Sequence, residues 1–451
     1  MQLTQSSMLR GAATPTVDAR NIRKAVAAAT VGTVIEWYDY ALYGAASGLI
    51  INKLFFPQLS PMAGVMAAFA TFAVGFFTRP LGGLVIAHFG DKFGRKPALI
   101  FTIALMGLST VAIGLLPTFN QIGVAAPILL MLLRLLQGFG AGAEYAGAVT
   151  LVSEYVPPER RGYYTAYLQS ATIIGILLAT FSFLAISYVP EDTLLSWAWR
   201  IPFLVSALLF VVALYIRNQL DETPEYVAAV ERADAHRRDN RVPVRELLRN
   251  SPKEVVLGFL SVTGHNANAY ILNAFALSYM VNTLHMPRTD SLVAVIVATA
   301  AGIVATPFFG ALADRIGHAK VYAFGAIFMV LFAFPLFALL DTRNAMLGTL
   351  GMGLAYALGF GGMAGAQGAF LADLFPTRYR FSGIAFAREL NSLLIAGPTP
   401  FIASALVAMS DGTPRLVILY LIVCCAFTVV SVWAARRRTV NNGKVATLQA
   451  S

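Results

Sequence analysis

Residues 98–117 read ALIFTIALMGLSTVAIGLLP, twenty residues without one charged side chain. A helix rises about 1.5 Å per residue, so such a stretch crosses the roughly 30 Å hydrocarbon core of a bilayer. Outward from it the reading repeats: between Ala25 and Trp433 lie roughly twelve apolar stretches of spanning length. Their bounds are 25–51, 61–89, 98–117, 124–154, 163–189, 198–217, 254–285, 290–313, 320–340, 344–374, 382–409 and 414–435, called spans 1 to 12 below. Several exceed the minimum, which tilt or extension past the membrane explains. The composition agrees, with 57% hydrophobic and 12% charged residues in a chain of 451. No soluble domain with a single core has that balance. The sequence therefore predicts an all-α integral membrane protein, and the few charges left inside the spans become its informative residues.

The net charge of +10 belongs to topology, not to nucleic-acid binding. Cytoplasmic loops accumulate Lys and Arg. Arg10, Arg20, Arg23, Lys24, Lys92, Arg95, Lys96, Arg160, Arg161, the run from Arg217 to Lys253, Arg315, Lys320, Arg378, Arg380 and Arg436 to Arg438 all fall on one side. The other side has only Lys53, Arg200, Arg288, Arg343 and Arg415. That asymmetry, with an even number of spans, predicts both termini in the cytoplasm of a multi-pass protein of the bacterial inner membrane. The first apolar run is too long and too charged for a cleaved signal and is read as retained. The expected division is a tail over 1–24, a first half over 25–217, a linker over 218–253, a second half over 254–435 and a tail over 436–451. The mixed signs of the linker read as a solvated, partly helical connection. Cys424 and Cys425, adjacent in the last span, read as small apolar fillers, neither disulfide nor metal site.

The halves echo each other. Gly90-Asp91-Lys92-Phe93-Gly94-Arg95-Lys96 follows span 2, and Ala313-Asp314-Arg315-Ile316-Gly317-His318-Ala319-Lys320 follows span 8. After span 4, Glu154 leads to Pro157-Pro158-Glu159-Arg160-Arg161-Gly162; after span 10, Asp373 leads to Pro376-Thr377-Arg378-Tyr379-Arg380. Two matches at corresponding loops mark duplicated, pseudo-symmetric halves of six helices, an architecture of secondary transporters. The loop from Ala87 to Lys96 resembles the signature of the major facilitator superfamily, with a weaker copy from Gly310 to Lys320. Glu36-Trp37-Tyr38-Asp39-Tyr40, Arg79-Pro80-Leu81-Gly82-Gly83, Arg134-Leu135-Leu136-Gln137-Gly138 with Glu144, and Trp199-Arg200-Ile201-Pro202-Phe203 resemble its metabolite:proton symporter subfamily, closest to the shikimate-transporter branch. The resemblance covers essentially the whole chain. It implies the major facilitator fold and symport of a small metabolite with protons.

Asp39 and Arg134 both fall near the expected midplane, about fourteen and ten residues into their spans. Burial disfavours a carboxylate's charged form and a guanidinium favours it, so the competition makes a proton switch. Asp39 is the expected main proton-coupling group, with Glu36, one turn earlier on the same face, second. Arg134 is expected to hold an anionic substrate or to pair with Asp39; a buried ion pair that fixes helix packing is the alternative. Span 7 carries an unusually polar run, His265, Asn266, Asn268, Tyr270 and Asn273, and span 11 carries Arg388, Glu389 and Asn391. Tyr43, His265, Asn268, Tyr270, Arg388 and Asn391 join Arg134 as expected substrate-binding residues. Arg388 and Glu389 instead neutralising each other, or serving the gate, stays open here. The remaining aromatics read as packing, Gly138 and Gly140 as helix contacts, and Glu144 as a partner for Arg79 or a proton relay.

The signature loops read as a cytoplasmic gate, following the superfamily's. Asp91 is expected at the start of span 11 and Arg95 on Glu154, with Asp314 at the start of span 5 near Gly162 and Arg315 on Asp373. The leading reading is a proton-coupled importer of a small carboxylate (shikimate-like, aromatic or dicarboxylate) working by alternating access, driven by the proton gradient without cofactor or metal, and functional as a monomer. Its partners are then the substrate, protons and lipid, with no nucleic acid. The runner-up is uptake of a zwitterionic osmolyte such as proline or betaine; the short tail without heptads argues against osmosensing. Drug efflux lacks its Gly-Pro pair in span 5. An enzyme lacks a convergent acid, base or metal set among five scattered histidines. The two-half repeat argues against a channel.

Overall fold

The structure, a computed structural model, describes residues 19–83, 85–86, 95–141, 149, 156, 158–220, 244–376 and 379–449. The described residues are almost wholly helical. Among them, 7 helices are long and apolar enough to cross a bilayer: Pro61–Gly83, Arg161–Ser187, Arg288–Ile316, His318–Asp341, Ala345–Leu374, Arg380–Met409 and Arg415–Ala435. Phe101–Leu115, Ala125–Gly140 and Ala198–Val212 are shorter apolar helices at spans 3, 4 and 6. Spans 1 and 7 are helical too, from Ala19–Ala46 and Pro252–Tyr270 onward, and are the ones interrupted by polar residues. The last helix runs past the expected end of span 12 to Gln449, so the final tail continues a helix.

Within the first half, span 1 packs on spans 5 and 6, and spans 2 and 3 pack on span 4. Within the second half, span 7 packs on spans 11 and 12, and span 9 on spans 10 and 12. The halves meet where span 5 crosses spans 8 and 10, where span 2 meets span 11, and where span 1 meets span 7. The 5–8 and 2–11 contacts are thus equivalents under the repeat, and span 1 meets its own counterpart, span 7. Widened π-helical turns interrupt the helices there: Ser47–Ile51 in span 1, Ile271–Phe275 and Tyr279–Thr283 in span 7, Ala355–Phe360 in span 10 and Ser392–Ala396 in span 11. Such turns bend a helix and often mark functional positions.

Among the described residues, the halves touch at both ends of the seam. At the end that the charge asymmetry assigns to the cytoplasm, Gly162 of span 5 lies against Gly310 of span 8. A Cβ on Gly310 would stand 2.7 Å from the Gly162 carbonyl oxygen, so only glycine permits the crossing. At the opposite end, a Cβ on Gly48 would stand 2.9 Å from that of Ser278, and the Asn282 side-chain amide donates to the Gly48 carbonyl at 2.6 Å. Arg288 donates there to the Ser187 carbonyl at 2.9 Å.

Candidate functional site

Between these two contacts lies a cavity lined by both halves. Span 1 lines it with Trp37, Tyr40 and Gly44, span 2 with Phe72, and span 5 with Gln169, Thr172 and Thr180. The second half brings His265, Asn266, Tyr270 and Asn273 from span 7, Phe360 from span 10 and Arg388 from span 11. Both halves therefore contribute, as alternating access requires. The wall is largely aromatic: Tyr270 stands 5.8 Å from Phe72 and 5.7 Å from Phe76, and His265 stacks on Phe360 at 4.8 Å.

Four polar atoms of this wall are buried without a protein partner: the Tyr40 hydroxyl, Gln169 Oε1, the Thr172 hydroxyl and His265 Nδ1. Buried polar groups are almost always satisfied, and each orphan costs about 1–3 kcal/mol. Four around one cavity fit a wall whose partners arrive with a polar ligand. Arg388 is the cationic side chain of the lining and donates to Gln367 Oε1 at 2.8 Å; Gln367 in turn donates to the Tyr322 hydroxyl at 3.0 Å. That chain fixes the guanidinium on the wall.

One layer towards the Asp314 end lies an ion cluster. Arg79 of span 2 reaches Glu389 of span 11 at 3.3 Å through Nε and Glu36 of span 1 at 4.0 Å through Nη2. Its guanidinium carbon stands 5.1 Å from the Tyr40 ring centre and 5.7 Å from that of Phe76.

A second charged layer is sealed inside the first half. Arg134 is fully buried, its guanidinium carbon 4.1 Å from the Tyr43 ring centre and 5.2 Å from that of Phe72. It donates to the Phe72 carbonyl at 3.1 Å and to the Gln137 side chain. Asp39 accepts from Ser206 of span 6 at 2.8 Å. Neither Asp39 nor Arg134 lines the cavity, because Phe72 stands between it and Arg134.

A model of the Major Facilitator Superfamily matches residues 29–395. The chain belongs to the major facilitator superfamily. It is 36% identical to the shikimate transporter of Escherichia coli (strain K12) over 91% of this chain and 93% of that one. It is 35% identical to the proline/betaine transporter of Salmonella typhimurium (strain LT2) over 88% of this chain and 80% of that one. The crystal structure of a D-xylose-proton symporter shares the fold, with a TM-score of 0.70 at 20% identity over 92% of this chain and 97% of that one. The superfamily is the one that the resemblance implied. This facilitator is a membrane transporter and not an enzyme, as its relatives are.

Within this facilitator the expected site residues separate into groups. His265, Tyr270 and Arg388 line the cavity. Tyr43 does not; its hydroxyl pairs with that of Thr71 at 2.7 Å while its ring covers Arg134. Asn391 turns back to span 7, donating to the Phe259 carbonyl at 3.0 Å and Thr263 Oγ1 at 2.8 Å and accepting from Asn266 at 2.7 Å. Asn268 is buried outside the lining, with neither amide atom partnered.

At the gate, Asp314 caps span 5 across the seam: the Gly162 N–H donates to Oδ1 at 2.6 Å and the Tyr163 N–H to Oδ2 at 2.9 Å. Asp373 is held not by Arg315, as expected, but by Arg161 at 3.1 Å and His318 at 2.7 Å. His318 takes that place because one helical turn after Asp314 it bridges both carboxylates, lying 3.2 Å from Asp314 as well. Asp91, Glu154 and Glu144 lie outside the described residues, and Arg95 is described in its backbone alone.

Sequence reasoning missed Trp37 and Tyr40 as wall residues, reading them as packing, and missed Gln169 and Thr172 altogether. Their signal was an amide and a hydroxyl one turn apart on span 5. Arg79 with Glu389 was missed as a pair, since only the fold brings them together.

Proposed function

We propose that this facilitator is a proton-coupled symporter that imports a small organic carboxylate across the bacterial inner membrane, with both termini cytoplasmic. The observation that carries the reading is the cavity between the halves with one guanidinium on its wall and four unpartnered polar atoms around it. A carboxylate suits Arg388, which offers a charge-assisted hydrogen bond. Ring hydroxyls or a second carboxylate suit Tyr40, Gln169, Thr172 and His265, and an apolar ring face suits Phe72, Tyr270 and Phe360. The similarity to a shikimate transporter points the same way.

Transport follows as alternation. The Gly162–Gly310 crossing parts while the Gly48–Ser278 crossing stays shut, and then the reverse. Asp314 and Asp373 tie the halves on the cytoplasmic side while the protein faces outward. Span 1 supplies carboxylates for the coupled proton, Asp39 and Glu36. The cycle draws on the proton gradient and needs no cofactor, and one chain holds a whole cavity, so a monomer suffices.

A second reading is uptake of a zwitterion such as proline or betaine. It is favoured by the ring group of Trp37, Tyr40, Phe72 and Tyr270, whose faces attract a quaternary ammonium, and by the proline/betaine relatives. Substrate-triggered proton entry into proteoliposomes separates the two, screened over aromatic and aliphatic carboxylates, proline and betaine. Entry with a carboxylate, lost in Asp39→Asn, is the expected result. Entry with proline or betaine alone moves the chain to the second reading, and an Asp39→Asn variant that accumulates substrate normally removes Asp39 from coupling.

A further inference from the structure

We propose that Glu389 and Arg79 are coupling residues: with Glu36 they form a station between the halves that takes up a proton when an anion occupies Arg388. The inference rests on the reading of this chain as a carboxylate–proton symporter and specifies where the linkage resides.

Three observations carry it. First, the cluster straddles the seam. Arg79 and Glu36 belong to the first half and Glu389 to the second, and the Arg79–Glu389 contact at 3.3 Å is the closer of the two. Opening the seam on this side separates Glu389 from Arg79, whereas Glu36 moves with Arg79. The side chains are 10%, 10% and 18% exposed for Arg79, Glu36 and Glu389, so a charge stranded there is costly. Second, the cluster adjoins the cavity through two residues. Tyr40 presents its ring to Arg79 and also lines the cavity, where its buried hydroxyl has no protein partner. Arg388, on the cavity wall, is the chain neighbour of Glu389.

Third, the charges balance only without substrate. Among the described residues, the ion cluster and the adjoining wall hold two carboxylates, Glu36 and Glu389, and two guanidiniums, Arg79 and Arg388. Among the described residues, the other titratable or charged groups near them are Tyr40, Tyr270, His265 and, behind Phe72, Arg134, with Asp39 buried in the same half. A carboxylate arriving at Arg388 leaves this buried group with one uncompensated negative charge. Uptake of one proton by the Glu36–Glu389 pair restores neutrality. It also frees Arg79 from one carboxylate, so the halves part without stranding a charge. By linkage the proton and the anion then bind each other's state more tightly, which is symport. The proton is shared by the pair, and no single carboxylate owns it. A charge at 4–6 Å changes a carboxylate's proton binding by about ten- to a thousandfold, enough for obligatory coupling. A zwitterion brings no net charge and draws no proton by this route.

The test uses purified full-length chain in proteoliposomes, with shikimate as probe. In Glu389→Gln and Glu36→Gln, accumulation driven by a pH gradient is expected to fall about tenfold or more, while shikimate exchange at equal pH persists. Glu389→Asp is expected to restore accumulation. A merely structural role would lower exchange and accumulation together. If exchange is also lost, proton uptake on shikimate binding, followed with a pH dye in lightly buffered detergent solution, decides: binding without proton uptake supports the station, and binding with wild-type uptake overturns it. Wild-type accumulation in both Gln variants overturns it while leaving the symporter reading intact. A wild type that accumulates proline or betaine and no carboxylate overturns the carboxylate reading and the charge balance together.

Discussion

Arg388 and Asn391 are three residues apart on span 11, both polar, the first half-buried and the second fully buried, yet they do different work. Arg388 meets the cavity, and Asn391 fastens span 11 to span 7 through Phe259, Thr263 and Asn266. Arg388→Gln is expected to raise KM for a carboxylate about ten- to a hundredfold, the value of a charge-assisted hydrogen bond of about 1.5–3 kcal/mol, with thermal stability near wild type. Asn391→Ala is expected to do the reverse. It lowers stability by about 1–2 kcal/mol, since interhelical hydrogen bonds in membranes average about 0.6 kcal/mol each, and leaves KM nearly unchanged. Uptake kinetics and a melting curve in detergent on both variants check the pair. Sequence alone flagged both residues, because charges and amides in hydrocarbon stand out. It did not separate them, because a helical face says which way a side chain points and not which neighbour stands there. The same limit applies to Arg134 and Asp39. Their burial was legible, but the Phe72 ring that seals Arg134 from the cavity was not.

At the scale of helices, the pairing of span 5 with span 8 was readable through the resemblance, whose gate puts Asp314 at the start of span 5 near Gly162. The Arg79–Glu389 contact was not readable: 310 residues separate the partners, and no motif joins them. The two glycine crossings give a prediction of opposite sign at opposite ends. Gly48→Val places carbon where Ser278 stands and blocks closure on that side; Gly310→Val does the same against Gly162. Gly48→Val is expected to increase labelling of single cysteines placed on the periplasmic face of the seam, and Gly310→Val to increase labelling on the cytoplasmic face. Each is expected to cut transport about tenfold or more, as overpacking a crossing costs about 1–3 kcal/mol. Cys424 and Cys425 are buried and give little background. Equal labelling patterns in both variants would contradict the assignment of the two crossings as gates.

For the whole molecule, composition and the spacing of apolar runs announced a membrane bundle, and the repeat announced its two halves. What the chain could not announce is the depth of each layer: wall, ion cluster and sealed Arg134 arise only when two halves face each other. Uptake by intact cells is expected to saturate with substrate and to collapse when a protonophore is added. Linear, protonophore-insensitive flux would instead describe a pore.

Contact at both glycine crossings in one conformation also has an electrical consequence. With the halves in contact at either end, ions meet two helix crossings on the way from one compartment to the other. A membrane crowded with this protein therefore retains its resistance, and the gradient that powers uptake is not short-circuited by the machine that spends it. The maximal current per copy is then set by how often two helix crossings part and re-form, so a cell gains flux by making more copies rather than by widening the path.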